Sequence, residues 1–215
     1  MTSLELMTEE VQVWVAPLDV TESRYDELAR LLPPDEKNRA AALNPVAARR
    51  FVVARGILRR LLSGFTGSAP DRLQFSYGHS GKPVLVDRDD IHFNISHSAE
   101  LGLFAFSPDR PVGVDVENER PVRRLLDVAQ RFMSEDELRT LADTPAGERN
   151  SAFLKSWVVR EARLKAEGKG IWNTSGKDAS NTAITHRLFS PRPNYIAAVA
   201  APEKDWRLFT CAMRD

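Results

Sequence analysis

The chain has 215 residues, enough for one large domain or two small ones, and it balances 30 lysines and arginines against 30 aspartates and glutamates. That zero net charge argues against attraction of the whole molecule to nucleic acid or to an anionic membrane, so anion binding would have to be local. Cys211 is the only cysteine, which excludes an internal disulfide, and with no signal-like or membrane-length apolar run the simple expectation is a cytoplasmic protein.

In chain order, residues 11–18 are predicted as a strand and residues 23–32 as a helix that Pro33 and Pro34 end. A second helix starts after Asn44-Pro45, carries Phe51, Val52, Ile57, Leu58, Leu61 and Leu62, and is expected to stop at Gly64. Residues 73–77, 91–97 and 101–106 read as strands, with a turn at 78–81. The turn-rich joint at 108–111 opens a second half. It begins with a strand around Asp115, followed by helices near 123–132, 134–142 and 148–167, the last ended by Gly168 and Gly170. A polar loop over 173–181 and a closing β pair, 195–201 with 206–212, complete the pattern. This order predicts an α+β fold of two similar lobes, 1–108 and 109–215, with a site in the cleft between them.

The chemistry concentrates in the second half. Asp115 and Glu117 lie in Val112-Gly-Val-Asp115-Val-Glu117, so on a strand they share one face, about 7 Å apart along the backbone, while Val114 and Val116 fill the other. Such alternation also suits the polar side of an edge strand, but this segment is apolar enough to be buried, where an unpaired carboxylate is costly. Glu161 and Lys165 stand one turn apart on the long helix, on the face that also carries Trp157. Alone they read as a solvated surface pair; packed against the strand, they would gather three carboxylates and an ammonium. With no cysteine or histidine cluster, such carboxylates suit a hard ion, Mg²⁺ with Mn²⁺ as substitute, and hence phosphate chemistry.

The anion-binding candidates lie in the first half. Ser96 and His97 end a β run and could hold a phosphate, or equally be a turn-capping serine and a hydrogen-bonded histidine. Lys82 sits on the constrained Gly81-Lys82-Pro83 turn, and Arg49, Arg50 and Arg55 share one helix.

Taken together, Gly81-Lys-Pro83, Phe93-Asn-Ile-Ser-His97-Ser98, Val112-Gly-Val-Asp115-Val-Glu117, Arg131-Phe-Met-Ser-Glu-Asp-Glu137-Leu138 and Trp157-Val-Val-Arg-Glu161-Ala-Arg-Leu-Lys165 resemble, in order and spacing, the 4'-phosphopantetheinyl transferase superfamily. The resemblance is to its larger, pseudo-dimeric class, typified by the surfactin-synthetase activating enzyme. Its motifs cover about residues 11–170.

The resemblance implies two α+β lobes related by pseudo-twofold symmetry, with coenzyme A in the cleft between them. It implies transfer of the phosphopantetheine arm to a serine of an apo acyl or peptidyl carrier protein, releasing adenosine 3',5'-bisphosphate. Asp115, Glu117 and Glu161 match the Mg²⁺ ligands, and Lys165 matches a helix lysine near the phosphates. Glu161 and Lys165 are the implied catalytic pair. Ser96, His97 and Lys82 match coenzyme A contacts, with His97 and an arginine of the first-half helix at the 3'-phosphate. Arg50 is the choice for that arginine, with Arg49 and Arg55 as neighbours. Lys37 resembles one of two basic residues of the first half, but Ala40 stands where the second is expected. Arg160 replaces the lysine many relatives carry before the helix glutamate, and Glu137 is a secondary candidate. The lobe repeat within one chain implies a monomer. Two other readings stay open, a Mg²⁺-dependent phosphodiester hydrolase and a non-catalytic module that binds coenzyme A or a carrier.

Overall fold

The computed structural model describes residues 4–78, 81–169, 183–202 and 205–213, and its first strand shows how the layers are built. In β1 (Glu10–Pro17), Val11, Val13 and Val15 enter one core, while Trp14 and Ala16 on the opposite face enter another. A strand buried on both faces needs a partner layer on each side.

The helices of the first half supply one of those layers. Thr21 caps α1 (Glu22–Arg30), its side chain accepting from the Arg24 N–H at 3.3 Å. Pro34 also starts a helix the sequence reading lacked, α2 (Pro34–Ala41), at a position where no N–H is needed. Asn44 caps α3 (Pro45–Thr66), accepting from the Ala47 N–H at 3.0 Å. This helix runs past Gly64, the expected stop, to Gly67, whose φ of 71° is the left-handed conformation that ends helices. Gly64 serves packing instead: a Cβ there would lie 2.8 Å from Cδ1 of Leu4.

A short hairpin, β2 (Phe75–Tyr77) with β3 (Pro83–Leu85), leads to β4 (His92–Ser98) and β5 (Leu101–Ser107). The second half holds β6 (Gly113–Asn118), α4 (Leu125–Phe132), α5 (Glu135–Asp143), α6 (Arg149–Ala166), β7 (Ile184–Phe189), β8 (Tyr195–Pro202) and β9 (Arg207–Ala212). Only Ile184 is buried in β7, so this strand has no apolar alternation and escapes a reading of periodicity. Gly168, with φ 70°, follows α6 as expected; Gly170 and the loop expected over 173–181 lie outside the described residues.

The larger sheet has the order β4-β5-β1-β9 and the other the order β6-β8-β7. The expected closing β pair does not form. β8 pairs antiparallel with β6 and β7, whereas β9 runs parallel to β1, with Glu10 opposite Arg207. Trp206 explains the redirection. It is 2% exposed in the core between the sheets, and its indole N–H donates to Thr185 Oγ1 at 2.9 Å, which places the chain beside β1. The first sheet therefore takes its fourth strand from across the division expected at residues 108 and 109.

The layers run helix, sheet, sheet, helix, and the fold is α+β. Val11, Val13, Val15, Leu101 and Leu103 of one sheet meet Val114, Val116, Ala197 and Val199 of the other. α3 covers the outer face of the first sheet, and α6 covers the outer face of the second through Val158, Ala162 and Ala166. No helix among the described residues is long and apolar enough to cross a membrane.

Gly113 lets α6 sit this close. A Cβ there would lie 2.0 Å from the Ala162 carbonyl oxygen and 2.4 Å from the Ala166 nitrogen, both backbone atoms that cannot swing aside. Gly113→Ala should therefore push α6 off the sheet and lower the unfolding free energy by about 1–3 kcal/mol, as overpacked cores do. Urea denaturation checks this; a variant as stable as the parent would contradict the close packing.

Candidate active site

The two sheets meet where β4 lies beside β6, and there side chains replace a backbone ladder. Asn94 Oδ1 accepts from the Val114 N–H at 2.9 Å, Ser96 Oγ donates to Asp115 Oδ1 at 2.8 Å, and Ser98 Oγ donates to Glu117 Oε2 at 2.8 Å. Ser98 also accepts from the Asn118 N–H at 3.2 Å, which fixes its own proton on Glu117. Alternate β4 residues thus aim at β6, and the period of two leaves Phe93, Ile95 and His97 facing the first-half helices. Ser96 and His97, neighbours in sequence, serve opposite faces.

Asp115 and Glu117 lie on the α6 side of β6, as their spacing predicts, and α6 brings Glu161 and Lys165 to the same side. Lys165 Nζ donates to Asp115 Oδ1 at 2.7 Å, to Ser96 Oγ at 3.1 Å and to the Val114 carbonyl at 3.2 Å. Glu161 is 3% exposed and Asp115 6% exposed, so this is not a solvated surface pair.

Burial, with the neighbouring Asp115 charge, pushes the Glu161 carboxyl up to about 7 against the opposing pull of Lys165. Burial also raises Glu117, although its hydrogen bond from Ser98 works the other way. Among the described residues, no three His, Cys, Asp or Glu side chains are gathered into a group ready to hold a metal ion. The donor chemistry nevertheless fits one. Asp115 Oδ2 and Glu161 Oε1 are buried without a hydrogen-bond partner among the described residues, a costly arrangement for two acidic groups that a hard cation would relieve.

Lys82 spans from the hairpin to the second half. Its ammonium donates to the Val112 carbonyl at 2.9 Å and to the Lys165 carbonyl at 2.7 Å, so it ties the hairpin to the start of β6 and the end of α6. Burial, followed by the Lys165 charge, lowers it to about 8.

The three candidate arginines of α3 separate cleanly. Arg49 is bound to Glu22 and to the Val20 carbonyl, each at 2.9 Å, and lies over the Tyr25 ring. Arg55 is buried on Glu36, which also accepts from Arg59 at 2.7 Å. Arg50 forms no hydrogen bond or ion pair among the described residues and lines one cavity with His97. Burial, Lys165 and Arg50 hold the His97 imidazole below its ordinary range, against the opposing pull of Asp115. Lys37 is exposed on α2, away from that cavity's lining. Glu137 is a helix cap: it accepts from the Ser134 N–H at 2.8 Å while Ser134 Oγ accepts from the Glu137 N–H at 3.3 Å.

The sequence reading missed Ser98 and Asn94 as partners of β6. Their signal was present, since three polar residues at alternate positions of a strand mark one face that must be satisfied.

A model of the 4'-phosphopantetheinyl transferase superfamily matches residues 111–187. The chain is 40% identical over 220 residues to the 4'-phosphopantetheinyl transferase HetI of Nostoc sp., covering 95% of this chain and 93% of that protein. It is 33% identical over 124 residues to the 4'-phosphopantetheinyl transferase Sfp of Bacillus subtilis, covering 58% and 54% respectively. With psf-1 of Bacillus pumilus, also named a 4'-phosphopantetheinyl transferase, the identity is 33% over 126 residues, covering 59% and 53%.

The raised Glu161 carboxyl has a measurable sign. Because its folded value of about 7 lies above the ordinary 4.5, the stability it contributes is full below pH 4.5 and is lost as pH rises through 7. In the presence of a chelator, Glu161→Gln should remove that loss, so its unfolding free energy relative to the parent rises across this window. Parallel pH dependences in urea denaturation would contradict the burial of a titrating Glu161.

Proposed function

This chain belongs to the 4'-phosphopantetheinyl transferase superfamily, and from that premise we propose how its own residues carry out transfer of the phosphopantetheine arm of coenzyme A to a serine of an apo acyl or peptidyl carrier protein. One observation carries the reading: Lys165 joins Asp115 beside buried carboxylate oxygens of Asp115 and Glu161 that have no hydrogen-bond partner among the described residues.

Asp115, Glu117 and Glu161 would hold Mg²⁺, or Mn²⁺ in its place, which when bound neutralises charge on the pyrophosphate. Arg50 and His97 bind the 3'-phosphate from the first half, and Ser96 keeps Asp115 and Lys165 in register through its two hydrogen bonds. The carrier serine oxygen attacks the β-phosphorus, its proton passes to Glu161, and the bond from that phosphorus to the oxygen of the α-phosphate breaks. Lys165 stabilises the negative charge that collects on the departing adenosine 3',5'-bisphosphate. Lys82 enters through the α6 carbonyl it holds, and so sets where Lys165 begins its reach. Ligand groups drawn from both halves of one chain support a monomer, working on carriers in the cytoplasm.

Mass spectrometry of an apo carrier domain mixed with the protein, coenzyme A and Mg²⁺ tests the reaction. One phosphopantetheine arm on the carrier serine is expected, and Asp115→Asn should abolish it while keeping an acceptor for Ser96 and Lys165. Cleavage of coenzyme A with no gain on the carrier would make the protein a hydrolase instead.

Lys165→Ala should lower kcat for transfer more than it raises KM for coenzyme A, because the charge it answers develops in the transition state. An effect confined to KM in steady-state kinetics would contradict that role.

A further inference from the structure

Asp115 and Glu117 share one face of β6 but are held by unequal partners. Asp115 Oδ1 accepts from the Lys165 ammonium at 2.7 Å and from Ser96 Oγ at 2.8 Å. Glu117 has no such cation bound to it among the described residues, and its one hydrogen bond there comes from Ser98 Oγ, at 2.8 Å to Oε2. A neutral hydroxyl from the first half is therefore all that fixes the outer carboxylate of the pair.

That hydroxyl is itself well fixed. β4 and β6 run in the same direction along their seam, with contacts from 94 to 114, from 96 to 115 and from 98 to 117. Ser98 is 9% exposed at the end of β4, and the Asn118 N–H donates to its Oγ at 3.2 Å. The donor is a backbone group of a strand paired with β8, so it holds the serine oxygen from one side and leaves the hydroxyl proton for Glu117.

Glu117 has a competing place to go. It is half-buried and lines a cavity of about 460 Å³ together with Arg120, Arg123 and Trp157. A glutamate side chain free to turn would spend part of its time on those two arginines, away from Asp115. Both arginines are exposed, so their pull is screened by water, and a short hydrogen bond to a fixed partner outweighs it.

We propose that Ser98 is a positioning residue for the divalent ion: by pinning Oε2 of Glu117 to β4 it keeps this carboxylate beside Asp115 and Glu161 and leaves its second oxygen for the ion. Ser98 acts through Glu117 and is not a ligand. The first half, which carries none of the three carboxylates, thereby helps to set how tightly the ion is held. The assignment rests on Asp115, Glu117 and Glu161 holding that ion, as proposed above.

Mn²⁺ titration followed by electron paramagnetic resonance, with coenzyme A in excess and no carrier present, reads the ion site without turnover. Ser98→Ala should raise the Kd for Mn²⁺ about tenfold. Ser98→Cys, which keeps the volume but offers only a weak donor, should also weaken binding. In transfer assays both variants should raise the Mg²⁺ concentration for half-maximal rate, with a smaller change in kcat at saturating Mg²⁺. Asn94→Ala removes a different bond of the seam, the one from the Val114 N–H, and leaves both carboxylates their donors. Its Kd for Mn²⁺ should stay nearer the parental value than that of Ser98→Ala. Parental Mn²⁺ affinity in either folded Ser98 variant, or a loss in Asn94→Ala as large as in Ser98→Ala, overturns the assignment. A parent protein that binds no Mn²⁺ under these conditions refutes instead the reading of the three carboxylates as a metal site.

Discussion

The side-chain seam between β4 and β6 is the constraint on which the rest of the molecule depends. β6 has β8 on one edge, and on the other it meets not a backbone ladder but Asn94, Ser96 and Ser98. A ladder would have joined the sheets into one and turned the carboxylates into ordinary sheet-face groups. The side chains instead supply donors to Asp115 and Glu117 individually, so the same contacts that join the halves also orient the acidic oxygens. Fold and site are therefore coupled at this line.

Packing on the far side of β6 completes the arrangement. Gly113 admits the α6 backbone at the point where Lys165 must turn toward Asp115, and Lys82 grips the Lys165 carbonyl from the hairpin. Burial raises the Glu161 carboxyl to about 7, with the Asp115 charge adding to the shift and the Lys165 ammonium opposing it. Such an under-compensated cluster costs stability and persists where a charged ligand is to be received.

Much of this was legible in the sequence, for physical reasons that differ by element. The shared face of Asp115 and Glu117 follows from the period of a strand, and that of Glu161 and Lys165 from the turn of a helix; both survive any tertiary context. The helix start after Asn44 is equally local. β7 and the course of β9 were not legible. The first buries only Ile184, and the second is directed by burial of Trp206 in a core assembled from both halves. Lys82 and Glu137 show the same limit in the site: a motif gives a residue's place, whereas its partners come from the fold. The choice among Arg49, Arg50 and Arg55 was open for that reason, since only tertiary contacts reveal which charges Glu22 and Glu36 already occupy.

The alternation of β4 has one further consequence. Ser96 belongs to the carboxylate and Lys165 side, and His97 to the cavity with Arg50, so adjacent residues serve separate places on the two faces of a single strand. One face offers Asp115 with the Lys165 ammonium, and the other offers the Arg50 guanidinium beside the His97 imidazole. The two faces also keep opposite charge preferences apart: among the described residues no carboxylate lines the cavity, while Asp115 and Glu117 lie on the α6 side of β6. Moving the pair of β4 residues by one position would exchange their faces and put the imidazole against Asp115. The register of β4 against β5, with Ser96 opposite Leu103 and His97 opposite Gly102, is what prevents that exchange.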